Sequence, residues 1–450
     1  MKILLVSPNT LTIPYPVYPL GLDYVAASVG PSHEVQIVDL NVVEPDDFFV
    51  LLEQYKPDII GITCRNIDNT DAGDPLYFVR QYRDFVRRIK QKSDAVIVCG
   101  GAGFTILPEE IFTELNADYG IIGEGERFGL LVDALAEGRE VEKENLPGLL
   151  TKTTAANPPL PWSGTPARVV NGQANHFSYY LHKGGMFNLQ TKRGCSFNCI
   201  YCPYPHIEGH KHRLFDPEEI AHTALLLQQN GAQYFFITDS TFNSDVRHSL
   251  NVARALQKAG VTLPWGAFFA PRKLPRTYFQ EMAEAGLCHV EFGTEAMSSR
   301  MLATYRKPFS VEDVFTAHEQ AVEAGLHVAH YYLLGGPGEN EETLHETLDN
   351  IEQISKSVFF FFTGIRIYPH TQIHTIALNE KKISADTSLL TPVYYHPDAI
   401  SLTAIEQTLL ARAKGRINWI AGSGGKKAAQ TVKRMYEKGY TGPLWEYLIR

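Results

Sequence analysis

The sequence predicts an α/β protein with two parallel-sheet domains and a small helical cap at its C-terminal end. First, short apolar runs alternate with helix-like segments over residues 1–150, which is typical of a doubly wound, Rossmann-like sheet. Second, the alternation resumes at residue 186 with six strand–helix units, as in a partial TIM-like (β/α)6 barrel. We therefore predict domains at 1–150 and 186–378, a linker at 151–185 and a cap at 379–450.

The predicted strands of the first domain are nearly continuous apolar runs, as expected for strands covered on both faces. They are KILLV (2–6), VQIVD (35–39), DIIGIT (58–63), AVIVC (95–99) and YGII (119–122). A helical pattern over 75–91 is one of the segments that separate them. Loops rich in Gly, Ser, Thr and Pro follow several strands, and ligands of open α/β sheets bind beyond the carboxyl ends of the strands.

The stretch 151–173 is rich in Pro, Thr and Gly and reads as a linker. The second domain has predicted strands at 186–192, 234–239, 265–270, 289–294, 328–334 and 358–369. Its first helix begins with Asp216 as N-cap and Pro217 at the first helical position, and ends near Gly231.

Composition and charge exclude several classes of protein. The chain is 44% hydrophobic, has a net charge of −9 and has a pI near 6.0, which argues against a broad nucleic-acid surface. No apolar stretch approaches the roughly 18 residues of a membrane span, and the apolar opening is too short for a signal peptide. We expect a cytoplasmic protein that binds no nucleic acid.

Three of the six cysteines stand within eight positions, in RGCSFNCIYCPYP (193–205). Cys195, Cys199 and Cys202 have the spacing C-x3-C-x2-C, whereas the other cysteines occur singly in or beside apolar runs and read as core residues. A disulfide framework would need an even, distributed set in a small secreted chain. A thiolate trio on one loop indicates a soft metal centre instead.

Two metal centres fit this trio. Zinc would need a fourth ligand, which His206 or His210 could supply, but zinc cysteines usually come in C-x2-C pairs. A cubane iron–sulfur cluster could be held with one iron left open, and that iron would need a chelating ligand. S-adenosylmethionine would find here an aromatic neighbour in Tyr201, a carboxylate for its ribose and a glycine-rich edge for its adenine.

Residues with cysteine, acidic, hydroxyl, arginine or glycine character follow each of the six predicted barrel strands. If the barrel prediction is right, these groups ring one mouth, where the active sites of such barrels lie. They are the cysteine trio, Asp239-Ser240-Thr241, Arg272, Glu295, Gly335-Gly336-Pro337-Gly338-Glu339, and Arg366 with Tyr368.

With C-x3-C-x-Y-C, the span 186–378 resembles the radical S-adenosylmethionine superfamily. The resemblance implies that Cys195, Cys199 and Cys202 are the catalytic ligands of a [4Fe–4S] cluster whose open iron binds the methionine moiety. The implied contacts to S-adenosylmethionine are Tyr201, Asp239, Ser240, Glu295 and the adenine-facing loop Leu334, Gly335, Gly336 and Pro337.

The first 150 residues resemble the cobalamin-binding domain that precedes many such enzymes, through PVYPLGLDYVAASV, KPDIIGIT, VIVCGGAGFT, PEEI and ADYGIIGEGE. The resemblance implies a cobalamin site in which the corrin ring lies near the start of a helix. The nucleotide tail would lie against glycines, and the base at its end would contact a Gly-Glu loop. The implied residues are Pro19, Leu20, Gly21, Thr63, Arg65, Gly100, Gly101, Gly103, Gly123, Glu124, Gly125 and Glu126.

One departure concerns the lower face of the corrin. Many cobalamin proteins carry Asp-x-His-x-x-Gly, whose histidine ligates cobalt, but here Asp39 is followed by Leu-Asn-Val-Val. We hypothesise that the charge of Arg65 disfavours axial ligation on that face. The alternative is an arginine on a solvated loop.

Together the resemblances imply a cobalamin-dependent radical S-adenosylmethionine methyltransferase. A 5′-deoxyadenosyl radical would take hydrogen from an unactivated carbon, and the substrate radical would take methyl from methylcobalamin. The alternatives are a non-methylating relative that performs ring contraction or cyclisation, and a corrinoid- or zinc-binding sensor. The expected partners are a small-molecule or peptide substrate and an electron donor such as a flavodoxin or ferredoxin.

Overall fold

The structure is a computed structural model that describes residues 1–12, 15–141, 146–153, 159–164, 166–422 and 424–450. The chain forms two compact units. Unit 1 comprises Met1–Thr12, Pro16–Asn69 and Leu76–Tyr179, and unit 2 comprises Tyr15, Thr70–Pro75 and Tyr180–Arg450. Positions 154–158 and 165 of the predicted linker lie outside the described residues.

Unit 1 contains one sheet of six strands. The strands are β1 (Lys2–Ser7), β2 (Glu34–Asp39), β3 (Ile59–Thr63), β4 (Val96–Gly100), β5 (Tyr119–Ile121) and β6 (Leu149–Thr151). Their order is β2-β1-β3-β4-β5-β6, and every pair is parallel except β5 with β6. The five predicted strands are confirmed. The antiparallel edge strand β6 was not predicted, because three residues are too short for a recognisable apolar run.

Ile3, Leu5, Ile59 and Val98 of the central strands form a hydrophobic core cluster with helix residues such as Leu131. The predicted helix at 75–91 is α3, which begins at Val79. Helix α7 falls within the predicted linker. The helices are α1 (Leu20–Ser28), α2 (Pro45–Tyr55), α3 (Val79–Lys90), α4 (Ala102–Ile106), α5 (Pro108–Leu115), α6 (Arg127–Ala136) and α7 (Asn175–His182).

Unit 2 contains a fully parallel sheet of seven strands, in the order β17-β14-β13-β12-β11-β10-β7. They are β7 (Met186–Leu189), β10 (Tyr234–Ile237), β11 (Trp265–Phe269), β12 (Leu287–Glu295), β13 (His327–Leu334), β14 (Ser357–Thr363) and β17 (Trp419–Ala421). The six predicted strands are all present. The seventh, β17, was not predicted and comes from the segment expected to form a mostly helical cap.

Two predicted strands are shorter than expected. The run 186–192 leaves the sheet after Leu189, and β8 (Lys192–Arg193) pairs instead with β9 (Arg213–Leu214). The run 358–369 breaks at Gly364, whose φ of +85° suits glycine. Beyond this glycine, β15 (Ile365–Arg366) pairs with β16 (Tyr394–Tyr395).

The helices of unit 2 follow the strands as predicted. Asp216 caps α9 by accepting a hydrogen bond from the backbone N–H of Glu218 at 2.8 Å. Two short 3₁₀ segments occupy Phe242–Ser244 and Leu444–Leu448. The helices are α8 (Tyr204–Glu208), α9 (Pro217–Gln229), α10 (Val246–Lys258), α11 (Tyr278–Glu284), α12 (Ser299–Thr304), α13 (Val311–Glu323), α14 (Glu341–Ile351), α15 (Gln372–Asn379), α16 (Leu402–Ala413) and α17 (Gly425–Glu437).

Among the helices that the structure describes, none combines the length and apolar character needed to cross a bilayer.

Candidate functional site

The cysteine loop is shaped by a short hairpin at the carboxyl end of the unit 2 sheet. Gly194 follows β8 with a φ of +87°, and its amide donates to the Glu208 carboxylate at 3.0 Å. The amide of Cys195 donates to the carbonyl of Gly209 at 3.0 Å, and that of Cys202 donates to the carbonyl of Cys199 at 3.2 Å. These bonds fold residues 195–202 into a tight loop.

All three thiols line one cavity of about 520 Å³. The predicted convergence of strand ends is confirmed for Ser240, Thr241, Glu295, Arg366 and Tyr368, which share this lining. Arg272 and the 335–339 loop are not among the residues that line this cavity.

The sulfur positions bear on the choice between the two metal centres considered. A tetrahedral zinc ion at about 2.3 Å from each sulfur would hold its ligands within about 4 Å of one another. Among the described residues, no set of cysteine sulfurs, with or without His206 or His210, has its ligand atoms all within 4.8 Å of one another. A cubane spreads its thiolates over three irons and so separates them further. The arrangement is therefore compatible with a cluster.

Burial affects the state of the thiols. It raises the pKa of Cys202 to about 12 and also raises the pKa of Cys199. Such thiols stay protonated until a metal displaces the proton. Binding of a metal at this loop would therefore release protons. The six cysteines form no disulfide.

Next to the cysteines lies a buried charged group that no sequence motif indicated. The Lys307 ammonium lies 3.5 Å from a Glu295 carboxylate oxygen and donates to the Tyr201 hydroxyl at 3.2 Å. Glu295 ends β12 at a register shift and has a φ of +67°, an uncommon backbone conformation for a residue other than glycine. Lys307 thus bonds to both Tyr201 and Glu295, two residues predicted to contact S-adenosylmethionine. The sequence did not indicate this lysine, which the fold brings close to them.

Asp239 has a structural role that the sequence did not indicate. Its carboxylate is fully buried, pairs with the Lys192 ammonium at 2.9 Å and accepts from the Thr191 amide at 2.8 Å and the Thr191 hydroxyl at 2.5 Å. The remaining two donors of Lys192 bond the carbonyls of Thr241 and Phe242. These bonds give the Asp239 carboxylate a structural role, and its contact with S-adenosylmethionine stays a prediction.

Ser240, its neighbour, does face the cavity. Its hydroxyl oxygen is buried and has no hydrogen-bond partner within the described part of the chain. Because buried hydroxyls are normally paired, this group is a suitable hydrogen-bonding site for a bound polar molecule.

The predicted adenine-facing loop, residues 334–337, is closely packed against its neighbours. Glu339 is buried and its carboxylate accepts from the amide of Gly335, whose φ is +90°. A side chain at Gly336 would collide with the ring of Tyr305. Leu334, Gly335, Gly336 and Pro337 do not line the cavity, although Leu333 does, and their contact with S-adenosylmethionine stays a prediction.

The cavity wall is strongly aromatic, which sequence reasoning did not anticipate. The Tyr331 ring stacks on Phe360 at 4.8 Å, and its hydroxyl donates to Glu291 at 2.8 Å. The Trp445 indole donates to the other oxygen of Glu291 at 3.0 Å. Aromatic residues that line the cavity are Phe197, Tyr201, Tyr204, Phe268, Phe269, Phe309, Tyr331, Phe362 and Tyr368.

In unit 1, several predicted cobalamin residues occupy the carboxyl ends of neighbouring strands. Thr63 ends β3, Gly100 ends β4, and Arg65 lies on the loop after β3. Gly101 and Gly103 pack directly on the backbone of this loop, and the amide of Gly103 donates to the carbonyl of Arg65 at 3.0 Å. Their lack of a side chain is therefore needed for the two loops to pack together, and their contact with cobalamin stays a prediction.

The Gly-Glu loop after β5 packs against neighbouring segments of unit 1. Glu124 is buried and accepts a hydrogen bond from the amide of Trp162, and Arg127 donates to the carbonyl of Leu160. Gly123 lies beside Pro159, and Gly125 packs on Val25. Glu126 is buried as well. The segment 159–162 thus contacts the loop that was expected to line the nucleotide base.

The start of α1 combines an open position with a buried ion pair. Pro19 and Leu20 begin the helix, and a side-chain carbon placed at Gly21 would meet no atom within 4 Å. Asp23 pairs with Arg168 at 2.9 Å and accepts from the Tyr18 hydroxyl at 3.0 Å. The open surface at Gly21 fits the close approach of a large ligand.

The comparisons with known proteins agree with both halves of this description. Residues 189–351 match the model of the radical SAM superfamily, and residues 6–130 match the model of the B12 binding domain. The first match contains all three clustered cysteines, and the second contains the predicted cobalamin residues.

Among curated relatives, tryptophan 2-C-methyltransferase of Streptomyces laurentii is 24% identical over 81% of this chain and 72% of its own length. An uncharacterised methyltransferase of Pyrococcus horikoshii is 28% identical over 84% of this chain and 83% of its own length. Among solved structures, the radical S-adenosylmethionine methyltransferase TsrM of Kitasatospora setae, with cobalamin and a [4Fe–4S] cluster bound, has a TM-score of 0.87 at 22% identity and covers 99% of this chain and 97% of its own. The two chains share a fold.

Proposed function

Because this chain belongs to the B12-binding radical S-adenosylmethionine enzymes, we propose that it is a cobalamin-dependent methyltransferase. Its substrate would be a small molecule that is methylated at an unactivated carbon. The observation that carries the proposal is the placement of Cys195, Cys199 and Cys202 on one cavity wall, in a chain that also contains a B12 binding domain.

The residues of unit 2 fit a [4Fe–4S] cluster and S-adenosylmethionine. Cys195, Cys199 and Cys202 would hold the cluster, which when loaded supplies an electron for the reductive cleavage of S-adenosylmethionine. Glu295, fixed by Lys307 at 3.5 Å, would accept hydrogen bonds from ribose hydroxyls. The buried Ser240 hydroxyl offers a further polar contact. With a ligand bound, the aromatic walls would help to exclude water and so protect reactive species.

The residues of unit 1 that we assign to cobalamin are those at the strand ends and at the start of α1. Gly21 offers open surface, and Thr63, Gly100 and Arg65 lie on neighbouring loops. Bound cobalamin would supply the methyl group. We assign the boundaries 1–150 and 186–378 to the two cofactor domains, with 151–185 as the linker and 379–450 as the substrate-determining cap.

The cavity supports an aromatic or largely apolar substrate. Phe268, Tyr331 and Phe362 present ring surface, which gains from stacking and from burial of apolar area. Arg366 and Tyr368 add polar groups at the same wall. The likeness to TsrM, solved also with tryptophan and a S-adenosylmethionine analogue bound, is consistent with a substrate of this kind.

The cellular setting follows from the chemistry. Six cysteines without a disulfide suit the reducing cytoplasm. Reductive cleavage needs an external one-electron donor such as a flavodoxin or ferredoxin.

The test uses anaerobically reconstituted protein with S-adenosylmethionine carrying a deuterated methyl group, cobalamin and a strong reductant. We expect 5′-deoxyadenosine and S-adenosylhomocysteine to form and an aromatic acceptor to gain a labelled methyl group. Cys199→Ala should lose 5′-deoxyadenosine formation, and the exposed His222→Gln on α9 should retain it. Formation of 5′-deoxyadenosine with a rearranged, unmethylated product would replace methyl transfer by the non-methylating alternative. Absence of 5′-deoxyadenosine from a cluster-loaded protein would overturn radical chemistry.

A further inference from the structure

Three potential metal ligands converge at the amino-terminal end of the barrel strands in unit 2, away from the cysteine loop. His289 lies near the start of β12, His327 begins β13, and Glu446 belongs to the 3₁₀ segment Leu444–Leu448. Glu446 Oε2 lies 3.0 Å from His289 Nε2 and 2.7 Å from His327 Nδ1. All three ligand atoms lie within 4.8 Å of one another.

The contacts around His289 are compatible with a tautomer that carries its proton on Nδ1. The Cys288 thiol donates to the carbonyl of Trp265 at 3.3 Å, and its sulfur lies 2.9 Å from His289 Nδ1. With its hydrogen already donated, this sulfur accepts a hydrogen bond from Nδ1–H. The neutral imidazole then has a lone pair on Nε2, which faces the Glu446 carboxylate.

A lone pair and a carboxylate oxygen at 3.0 Å repel unless a positive charge lies between them. A proton could join these two atoms. The Nδ1–H of His327 can likewise donate to the same oxygen from a different strand, so two separate protons would be needed to hold the three groups together. A metal cation joins all three donors at once.

We propose that His289, His327 and Glu446 form a zinc site with a water molecule as its fourth ligand. Two imidazoles and one carboxylate are a ligand set that zinc uses with an open position. Ligands at about 2.0 Å in a tetrahedron are about 3.3 Å apart, so the observed 2.7 and 3.0 Å require only a slight opening. The Cys288 sulfur orients His289 from behind, as groups around metal sites commonly do.

The site would fasten the C-terminal segment to the barrel. Trp445, next to Glu446, packs with Ala329 and Val358 and donates to Glu291, which in turn holds the Tyr331 hydroxyl beneath the cavity. Binding zinc at this position would therefore cross-link two strands and the segment that fills the end of the barrel opposite its mouth.

The experiment uses cluster-loaded holoenzyme, so that the three clustered cysteines are already occupied. After incubation with zinc and gel filtration, we would measure zinc per chain by mass spectrometry, its affinity by competition with a chromophoric chelator, and its ligands by X-ray absorption at the zinc edge. The variants are Glu446→Gln and His327→Gln. The controls are His222→Gln and Glu319→Gln, which change exposed residues on α9 and α13.

We expect one bound zinc, nitrogen and oxygen neighbours at about 2.0 Å, and no sulfur at about 2.3 Å. Affinity should fall at least tenfold in either ligand variant and stay unchanged in the controls. Since the His327 side chain is 48% exposed, its variant should fold even if Glu446→Gln does not. An absence of zinc from the wild-type protein, a sulfur shell, or equal affinity in His327→Gln and the controls would overturn the proposal.

Discussion

Replacing Asp239 with asparagine should destabilise unit 2 strongly, although the two side chains have nearly the same shape. Asp239 and Lys192 form an ion pair at 2.9 Å with both side chains 0% exposed. The asparagine would leave the Lys192 ammonium buried without a counter-charge. It would also weaken the hydrogen bonds that Thr191 donates to the carboxylate.

The magnitude follows from the burial of both charges. Removing one partner of a fully buried ion pair costs about 3–5 kcal/mol, because the remaining charge has neither water nor a counter-ion. A domain of this size loses about 2–4 °C of melting temperature per kcal/mol, so the unfolding transition of unit 2 should fall by about 6 to 20 °C. The double variant Lys192→Met with Asp239→Leu removes both charges and should recover most of that loss.

The assay is thermal unfolding followed by circular dichroism, together with the affinity for S-adenosylmethionine measured at a temperature where the variant is folded. A structural role predicts a large thermal shift that the double variant reverses. A ligand contact predicts weaker binding at unchanged stability. Asp239→Asn with a wild-type melting temperature and weakened binding would refute the structural role and favour the ligand contact predicted from the sequence.

Three further predictions concern single groups. Burial raises the pKa of Glu291 from 4.5 to about 7, so between these values the folded state binds a proton that the unfolded state has lost. The free energy of unfolding should therefore fall by about 3 kcal/mol as pH rises from about 4.5 to 7. Urea titrations at several pH values should show a flatter pH dependence for Glu291→Gln than for the wild type. Lys307→Met should weaken S-adenosylmethionine binding by roughly tenfold or more at unchanged iron content, because Glu295 loses its partner. Arg65→Ala should change the electron paramagnetic resonance spectrum of bound cob(II)alamin, and an identical spectrum would count against a role at the lower corrin face.

The sequence was sufficient for the parts of the fold that depend on local patterns. Strands such as 2–6 and 328–334 are apolar runs of ordinary length, and the helix starting at Pro217 carries its own N-cap and proline signals. Their existence was predictable because each signal lies within the element itself. Strand β17 carries no such signal, since Trp419–Ala421 is stabilised by pairing with β14 rather than by its own composition.

Residues of the candidate site were likewise predictable only where the signal lies within one short segment. The cysteine spacing identifies the metal centre because all three ligands belong to one loop. Lys307 could not be found, since it reaches Glu295 and Tyr201 only through the packing of distant segments. The structural role of Asp239 could not be predicted, because its position at a strand end is compatible with both a ligand contact and a buried ion pair. Only the structure shows Lys192 beside it.

The most direct test of the cluster assignment is the iron and acid-labile sulfide content of the anaerobically reconstituted protein, measured for the wild type and for Cys199→Ala. We expect about four irons and four sulfides per wild-type chain, and loss of both together with the brown colour in the variant. Zinc in place of iron at the cysteines, iron without sulfide, or equal iron and sulfide in both proteins would contradict the assignment.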